Sequence, residues 1–413
     1  MYKNMMPFFN DIILVLWYDK YKYGISRRIQ EREVLLMKKL QVALLAIAAS
    51  ALVFTGCGGD EQEPVVGTDV VVETTVSEPT IETTETVIVE VDDTIPPEEG
   101  MVRSKLTNEW IPEELYDQRP VAVMTPNESS AIPHYALSNA SIIYEANVEG
   151  RMTRMLAIYE DYASIEKIGN IRSLRDYYAY WAFEWDAVIC HFGGPYYIDD
   201  VIAKSTTDNL NGNILSKPFF RSSDRKAPHN AYMDGTLVQE AMTNQKIEIK
   251  DRGLADETHY NFAMPSEPNT LSQYSYAEDA TYINMTGCYP LTRCYFEYNE
   301  EDGLYYRSQY LSNGTDGPHI DGANGKQLTF SNIIIQSCEY AVRDQSGYLW
   351  FNTVDSGRDA WFATQGKLIK CTWEKDSEFG ATRYYDEAGN EITFNTGKTM
   401  VLIIEDGTMF DYE

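Results

Sequence analysis

Arg172 and Arg175 stand three residues apart at the start of a segment in which Ile171, Leu174, Tyr178, Trp181 and Trp185 recur at spacings of three and four. That period predicts an amphipathic helix with Asn170 as its N-cap. Two guanidiniums in a first helical turn oppose the helix dipole and stand beside free backbone N–H groups, so an anion is expected to join them. The anion is either an Asp or Glu of this chain or the phosphate or carboxylate of a ligand, which paired guanidiniums suit. A second cationic cluster comprises Arg221, Asp224, Arg225, Lys226, Pro228, His229 and Asn230. Pro228 keeps Ala227 extended, which predicts an ordered loop. Its cations either staple the domain to its own acids or present donors to a substrate oxyanion.

Candidates for acid–base work precede and follow the predicted helix. Ser141 to Asn147 and Met152 to Tyr159 read as a hairpin around Glu149-Gly150. A two-residue turn there sets Glu145 opposite Arg154, on one face with Asn147 and Glu149. The pair is either a cross-strand salt bridge or part of a binding site. Further on, the buried-strand pattern Ala187 to Phe192 ends in Gly193-Gly194-Pro195, followed by a helix-like stretch from Tyr196 to Lys204. Strand, glycine turn and helix make the local shape of an α/β ligand crevice, and His191 sits at the strand end. The glycine pair lacks the spacing of a dinucleotide or Walker loop.

Other signatures are absent from the sequence: there is no His-Glu-x-x-His, no Cys-x-x-Cys and no Gly-x-Ser-x-Gly. The five histidines, His134, His191, His229, His259 and His319, are scattered. His319 with Asp321 in a Gly-rich stretch reads as a turn rather than a metal site. No metal and no cofactor is expected. Cys190, Cys288, Cys294, Cys338 and Cys371 are odd in number, and only Cys288 and Cys294, around Tyr289-Pro290, invite a bridge.

The elements that must position these residues follow an export signal. Met37-Lys38-Lys39, an apolar run of 15 residues from Leu40 to Phe54, and Thr55-Gly56-Cys57 form a bacterial lipoprotein signal with Cys57 as the lipidation site. The run is short of the ~20 residues that a spanning helix needs. Residues 1–36 read as an upstream start or a cytoplasmic extension removed with the signal. Cleavage leaves 26 bases against 59 acids, a formal charge of −33. Such a surface repels nucleic acid and anionic headgroups, so the membrane is reached through the lipid alone, on the outer face of the cytoplasmic membrane. Gly58 to Met101 holds 13 acids and no Lys or Arg, and the stretch from 57 to 109 reads as a disordered tether. Folded sequence is expected over 110–265, where strands alternate with helix-like segments, and over 276–413. The latter reads as an antiparallel β module, by its short Tyr/Ile/Phe/Thr runs and its turn signals.

Arg119-Pro120-Val121-Ala122-Val123-Met124, Ile143-Tyr144-Glu145-Ala146, Thr153-Arg154, Lys167-Ile168-Gly169 with Ile171-Arg172-Ser173, His191 with Gly193-Gly194, and Arg225-Lys226-Ala227-Pro228-His229-Asn230 resemble the YerB-like bacterial lipoproteins. The likeness continues through Tyr306-Arg307, His319 to Asp321, Asn332 to Ile335, Thr372-Trp373 and Asn395 to Thr399. The chain departs from the family's usual pattern at Thr125-Pro126-Asn127. The resemblance implies an α+β or α/β first domain with a mixed sheet and helices, then a β-rich second domain; it implies no reaction. The expected role is a lipid-anchored binding module that captures an anionic group of an envelope component or partner protein through Arg154, Arg172, Arg175, Arg225, Lys226, His229 and Asn230. Two alternatives stand beside it. One is an envelope hydrolase or transferase with Glu145 or Glu149 as acid or base and His191 or His229 as proton shuttle. The other is a scaffold using Tyr305, Tyr306, Tyr310, Trp350 and Trp361.

Overall fold

The computed structural model describes residues 92–413. The predicted export signal, Cys57 and most of the predicted tether lie outside the described residues. Folded chain begins earlier than the composition suggests. β1 (Met101–Arg103) pairs with β2 (Trp110–Pro112), and Leu106 in the connection is buried. Ser104 shapes that connection: its hydroxyl accepts from the N–H groups of Leu106 at 3.0 Å and Thr107 at 3.1 Å and donates to Glu160. Regular structure is therefore present from Met101, ahead of the predicted boundary at 109, because an apolar anchor and a capping hydroxyl outweigh the local lack of pattern.

The N-terminal region supplies β3 (Val121–Pro126), β4 (Ile142–Asn147), β5 (Thr153–Tyr159), helix α1 (Asp176–Phe183), β6 (Val188–His191) and β7 (Asn209–Asn211). The C-terminal region is β-rich. It supplies β8 (Leu304–Tyr310), β9 (Asn332–Cys338), β10 (Tyr340–Val342), β11 (Leu349–Phe351), β12 (Ser356–Thr364), β13 (Lys367–Glu374) and β14 (Thr399–Glu405). Both regions build one mixed sheet of 11 strands, whose central run is β13-β12-β9-β14-β4-β5-β3-β6-β7. β14 lies parallel to both β9 and β4, so the last long strand of the chain joins the two regions. The C-terminal region is thus not purely antiparallel. The reason is visible in β9 and β14, Asn-Ile-Ile-Ile-Gln-Ser-Cys and Thr-Met-Val-Leu-Ile-Ile-Glu, which are buried along almost their whole length. Branched runs of this kind belong inside a sheet covered on both faces. Core clusters lie on the two faces, one containing Val123, Ile143 and Leu402, the other Met124, Tyr144, Val401 and α1. β8 belongs to a separate six-stranded sheet.

Two local predictions shift. The helix begins at Asp176, not just after Asn170. Arg172 N–H donates to Met124 C=O at 2.8 Å, Phe192 N–H to Arg172 C=O at 3.0 Å and Leu174 N–H to Gly193 C=O at 3.0 Å. The backbone of 172–174 is thus engaged by the ends of β3 and β6 and cannot enter a helix. The β4–β5 hairpin forms, but one residue out of the predicted register: Glu145 lies opposite Met155 and Arg154 opposite Ala146. Its connection holds a helical turn, Glu149–Arg151, with positive φ at Gly150 and Arg151. The extra residue sends Glu145 and Arg154 to opposite faces of the sheet.

Candidate functional site

Arg154 leaves β5 toward the face covered by α1, beside Arg172 and Arg175 on the extended segment that precedes the helix. Its side chain is buried, with 6% of its surface exposed. Its guanidinium donates to the C=O of Ser173, and no ion pair among the described residues reaches it. Burial, and then the positive charge of Arg175, push its pKa down to about 10. Arg175, in contrast, grips Glu149 through Nε at 2.9 Å and through Nη2. Burial works against the charge on Glu149, but Arg175 outweighs it and leaves the carboxyl below its usual range. One atom of Arg172, Nη1, is buried without a partner. Three guanidiniums therefore meet with one carboxylate between them. The C-terminal region closes over this cluster with the β10–β11 hairpin: Tyr348 lies 5.3 Å from the Arg175 guanidinium, and Arg343 pairs with Asp176 at 2.6 Å.

The 221–230 loop resolves differently from its sequence promise. Arg225 donates to four backbone carbonyls, Ser130 at 3.0 Å and Ala131, Ile132 and Pro133 at 2.9 Å. It is a staple for the 130–133 segment, not a free donor. Asn230 accepts from Arg221 at 2.9 Å and donates to Ser222 C=O, and Lys226 is exposed. His229 is half-buried, with Nε2 3.3 Å from Ser130 Oγ and 3.5 Å from Glu128. Burial lowers its pKa, Glu128 raises it, and Arg172 and Arg225 lower it again. Of the predicted ligand-binding set, Arg154, Arg172 and Arg175 form one cluster, and His229 adjoins it through Arg172.

The four acid–base candidates occupy separate settings. Glu149 is held by Arg175. His191 is buried, with Nδ1 2.7 Å from Gly193 C=O and Nε2 3.2 Å from Asn209 Oδ1, and burial lowers its pKa. Glu145 is fully buried on the opposite face from Arg154 and accepts from Asn127 at 2.6 Å, Thr153 at 2.6 Å and Arg307 at 2.8 Å. Beyond Arg307 the chain of contacts continues through His319 Nδ1 at 2.5 Å, from His319 Nε2 to His134 Nδ1 at 2.8 Å, and from His134 Nε2 to Pro126 C=O at 2.7 Å. Pro126 can only accept, so His134 carries its proton on Nε2, and the same logic puts the His319 proton on Nε2. Both imidazoles are neutral. Burial, helped by Arg307, pushes His134 down to about 4 and holds His319 well below its usual range. Sequence reasoning missed this inter-region network. Its visible traces are that Pro126 and Asn127 fall where the chain departs from the family pattern, and that Glu145, Thr153, Arg307 and His319 fall in stretches that carry the likeness.

Asp321 is also internal, accepting from the N–H groups of Ala136 and Ser138. Among the described residues no group of three His, Cys, Asp or Glu side chains is arranged to hold a metal. Cys190, Cys288, Cys294, Cys338 and Cys371 are buried and unbridged. Two surface clefts, of about 530 and 580 Å3, are lined in part by Asp256, Glu374 and Asp376 and by Glu113, Glu114 and Asp117. They share no residue with the arginine cluster.

A mixed sheet with a few helices, continued by a β-rich region and joined to it by a buried ionic network, defines a two-domain protein of the α+β kind. Residues 106–248 match the N-terminal domain, and residues 285–401 the C-terminal domain, of the family described as "Protein of unknown function (DUF3048)". The chain belongs to this YerB-like family. It is 25% identical over 317 residues, 76% of this chain and 89% of the relative, to the "Putative lipoprotein YerB" of Bacillus subtilis strain 168. The crystal structure of the YerB protein from Bacillus subtilis superposes with a TM-score of 0.63 at 22% identity, covering 75% of this chain and 99% of the other. That likeness establishes the fold.

Proposed function

We propose that the protein is a lipoprotein, anchored through Cys57 on the outer face of the cytoplasmic membrane, whose N-terminal region binds an anionic group of an envelope component or partner protein at Arg154. The name of the Bacillus subtilis relative and the signal ending at Cys57 support the anchor. One observation carries the site: Arg154 is buried and, among the described residues, hydrogen-bonds to no carboxylate, with Arg172 and Arg175 alongside. A buried cation without a counter-ion costs several kcal/mol, and a bound phosphate or carboxylate would relieve that cost. Arg175, already held by Glu149, orients the site, while Arg172, with an unsatisfied Nη1, supplies a second donor. Thermal unfolding of the full chain, titrated with inorganic phosphate, tests the reading. A rise in melting temperature that is absent in Arg154→Met supports it, and no rise in the wild-type chain refutes it.

A further inference from the structure

We infer that the anion bound at the arginine cluster belongs to a polysaccharide, whose sugar rings lie along a tyrosine ladder running from the cluster to solvent; the inference rests on the reading proposed above. The ladder begins at Tyr348, 5.3 Å from the Arg175 guanidinium. Tyr197 follows, with its ring centroid 5.7 Å from that of Tyr348, and Tyr196 stands 4.0 Å beyond Tyr197. Tyr196 is 66% exposed, so the outer end of the ladder is open to solvent. Two anchors hold the ladder. Tyr197 OH donates to Asp344 at 3.1 Å, and the Arg343 guanidinium lies over the Tyr197 ring at 4.6 Å while pairing with Asp176.

The site is therefore composite. Tyr196 and Tyr197 come from the stretch after the glycine turn, and Tyr348 comes from the β10–β11 hairpin of the C-terminal region. Flat rings with exposed faces or edges pack against the C–H faces of sugars, and adjacent guanidiniums take a carboxylate or phosphate. Successive rings suit a polymer better than a single small anion. Duplex nucleic acid carries one charge per about 1.7 Å of its axis, denser than one carboxylate per sugar ring, and so meets the stronger repulsion from the 59 acids of the exported chain.

The test uses the full chain and three soluble polymers: polygalacturonate, which has rings and carboxylates, polyglutamate, which has carboxylates alone, and dextran, which has rings alone. Polygalacturonate is expected to bind about three- to tenfold more tightly than polyglutamate of matched charge, the increment expected of ring stacking. Dextran is not expected to bind. Tyr196→Ala should bring polygalacturonate down to the polyglutamate level, and Tyr196→Phe should keep the advantage. Equal binding of the two acidic polymers, binding of dextran, or indifference to Tyr196→Ala overturns the inference. If neither acidic polymer binds while phosphate still stabilises the chain, the polysaccharide inference fails and the anion site stands. If phosphate also fails, both fall.

Discussion

Replacing Arg154 by Met should make the free protein more stable and deaf to anions. The magnitude follows from the burial of the guanidinium, which holds its pKa down at about 10, well below that of an exposed arginine. At neutral pH both folded and unfolded chains carry the charge, so the folded state bears the whole difference, about 3 kcal/mol. The sign agrees with proton counting. Between the two pKa values the unfolded chain binds more protons, so stability rises with pH there and is lowest below that window. Met removes the penalty and keeps most of the apolar stem, but gives up the bond to Ser173 C=O, a loss of about 1–2 kcal/mol. The expected net gain is about 1–2 kcal/mol, read from urea unfolding followed by the fluorescence of buried Trp181 and Trp373. Phosphate at a hundred times its dissociation constant should add about 2.7 kcal/mol to the wild-type chain and nothing to the variant. If Arg154→Met destabilises the free protein by more than about 1 kcal/mol and both proteins answer equally to phosphate, Arg154 is a structural hydrogen-bond donor and the reasoning is refuted.

Other consequences are open to the same measurements. Glu145→Ala should cost about 3–5 kcal/mol because it strands a fully buried Arg307, whereas Glu145→Ala with Arg307→Met should cost less than the sum; additive losses in the urea cycle would show the pair to be uncoupled. His134, neutral in the fold with its pKa near 4, must stay unprotonated while the unfolded chain takes up a proton below about 6.5. Stability should fall between pH 6.5 and 4, and His134→Gln should flatten that slope. His319 and His259 act in the same direction, and Glu160, pushed up to about 7 by burial, acts in the opposite one, so the difference between variant and wild type is the quantity to measure. Arg225→Ala should lower stability by about 1–3 kcal/mol through four undonated carbonyls, while phosphate affinity stays within about threefold; a larger loss of affinity would return Arg225 to the binding site.

Much of the local structure is written in short-range pattern. Val121 to Met124, the hairpin from Ile142 to Tyr159, the strand ending at His191 and the β-rich character beyond residue 276 are all legible, because side-chain alternation and turn residues act over a few positions. The arginines at 154, 172 and 175 are likewise visible as residues that call for an anion. What local pattern could not supply is which anion each one meets. Arg175 finds Glu149, 26 residues back, Arg225 finds carbonyls more than 90 residues away, and Arg154 finds no carboxylate among the described residues. The start of α1 moved for the same kind of reason, since strand ends distant in the chain claimed the backbone of 172–174.

The sequence by itself determined the chain's composition, its acidic charge, its strand-forming segments and the family to which it belongs. Tertiary structure alone decided the one-residue register at Glu149–Arg151, which turned Glu145 inward and Arg154 to the other face. It also decided the partnership of Glu145 with Arg307, 162 residues away. The physical reason is that hydrophobic periodicity acts locally, whereas a buried charge takes whatever partner the packing of remote strands brings within reach. Here the parallel seating of β14 between β9 and β4 joins the two regions into one sheet, and with them the charges each region carries.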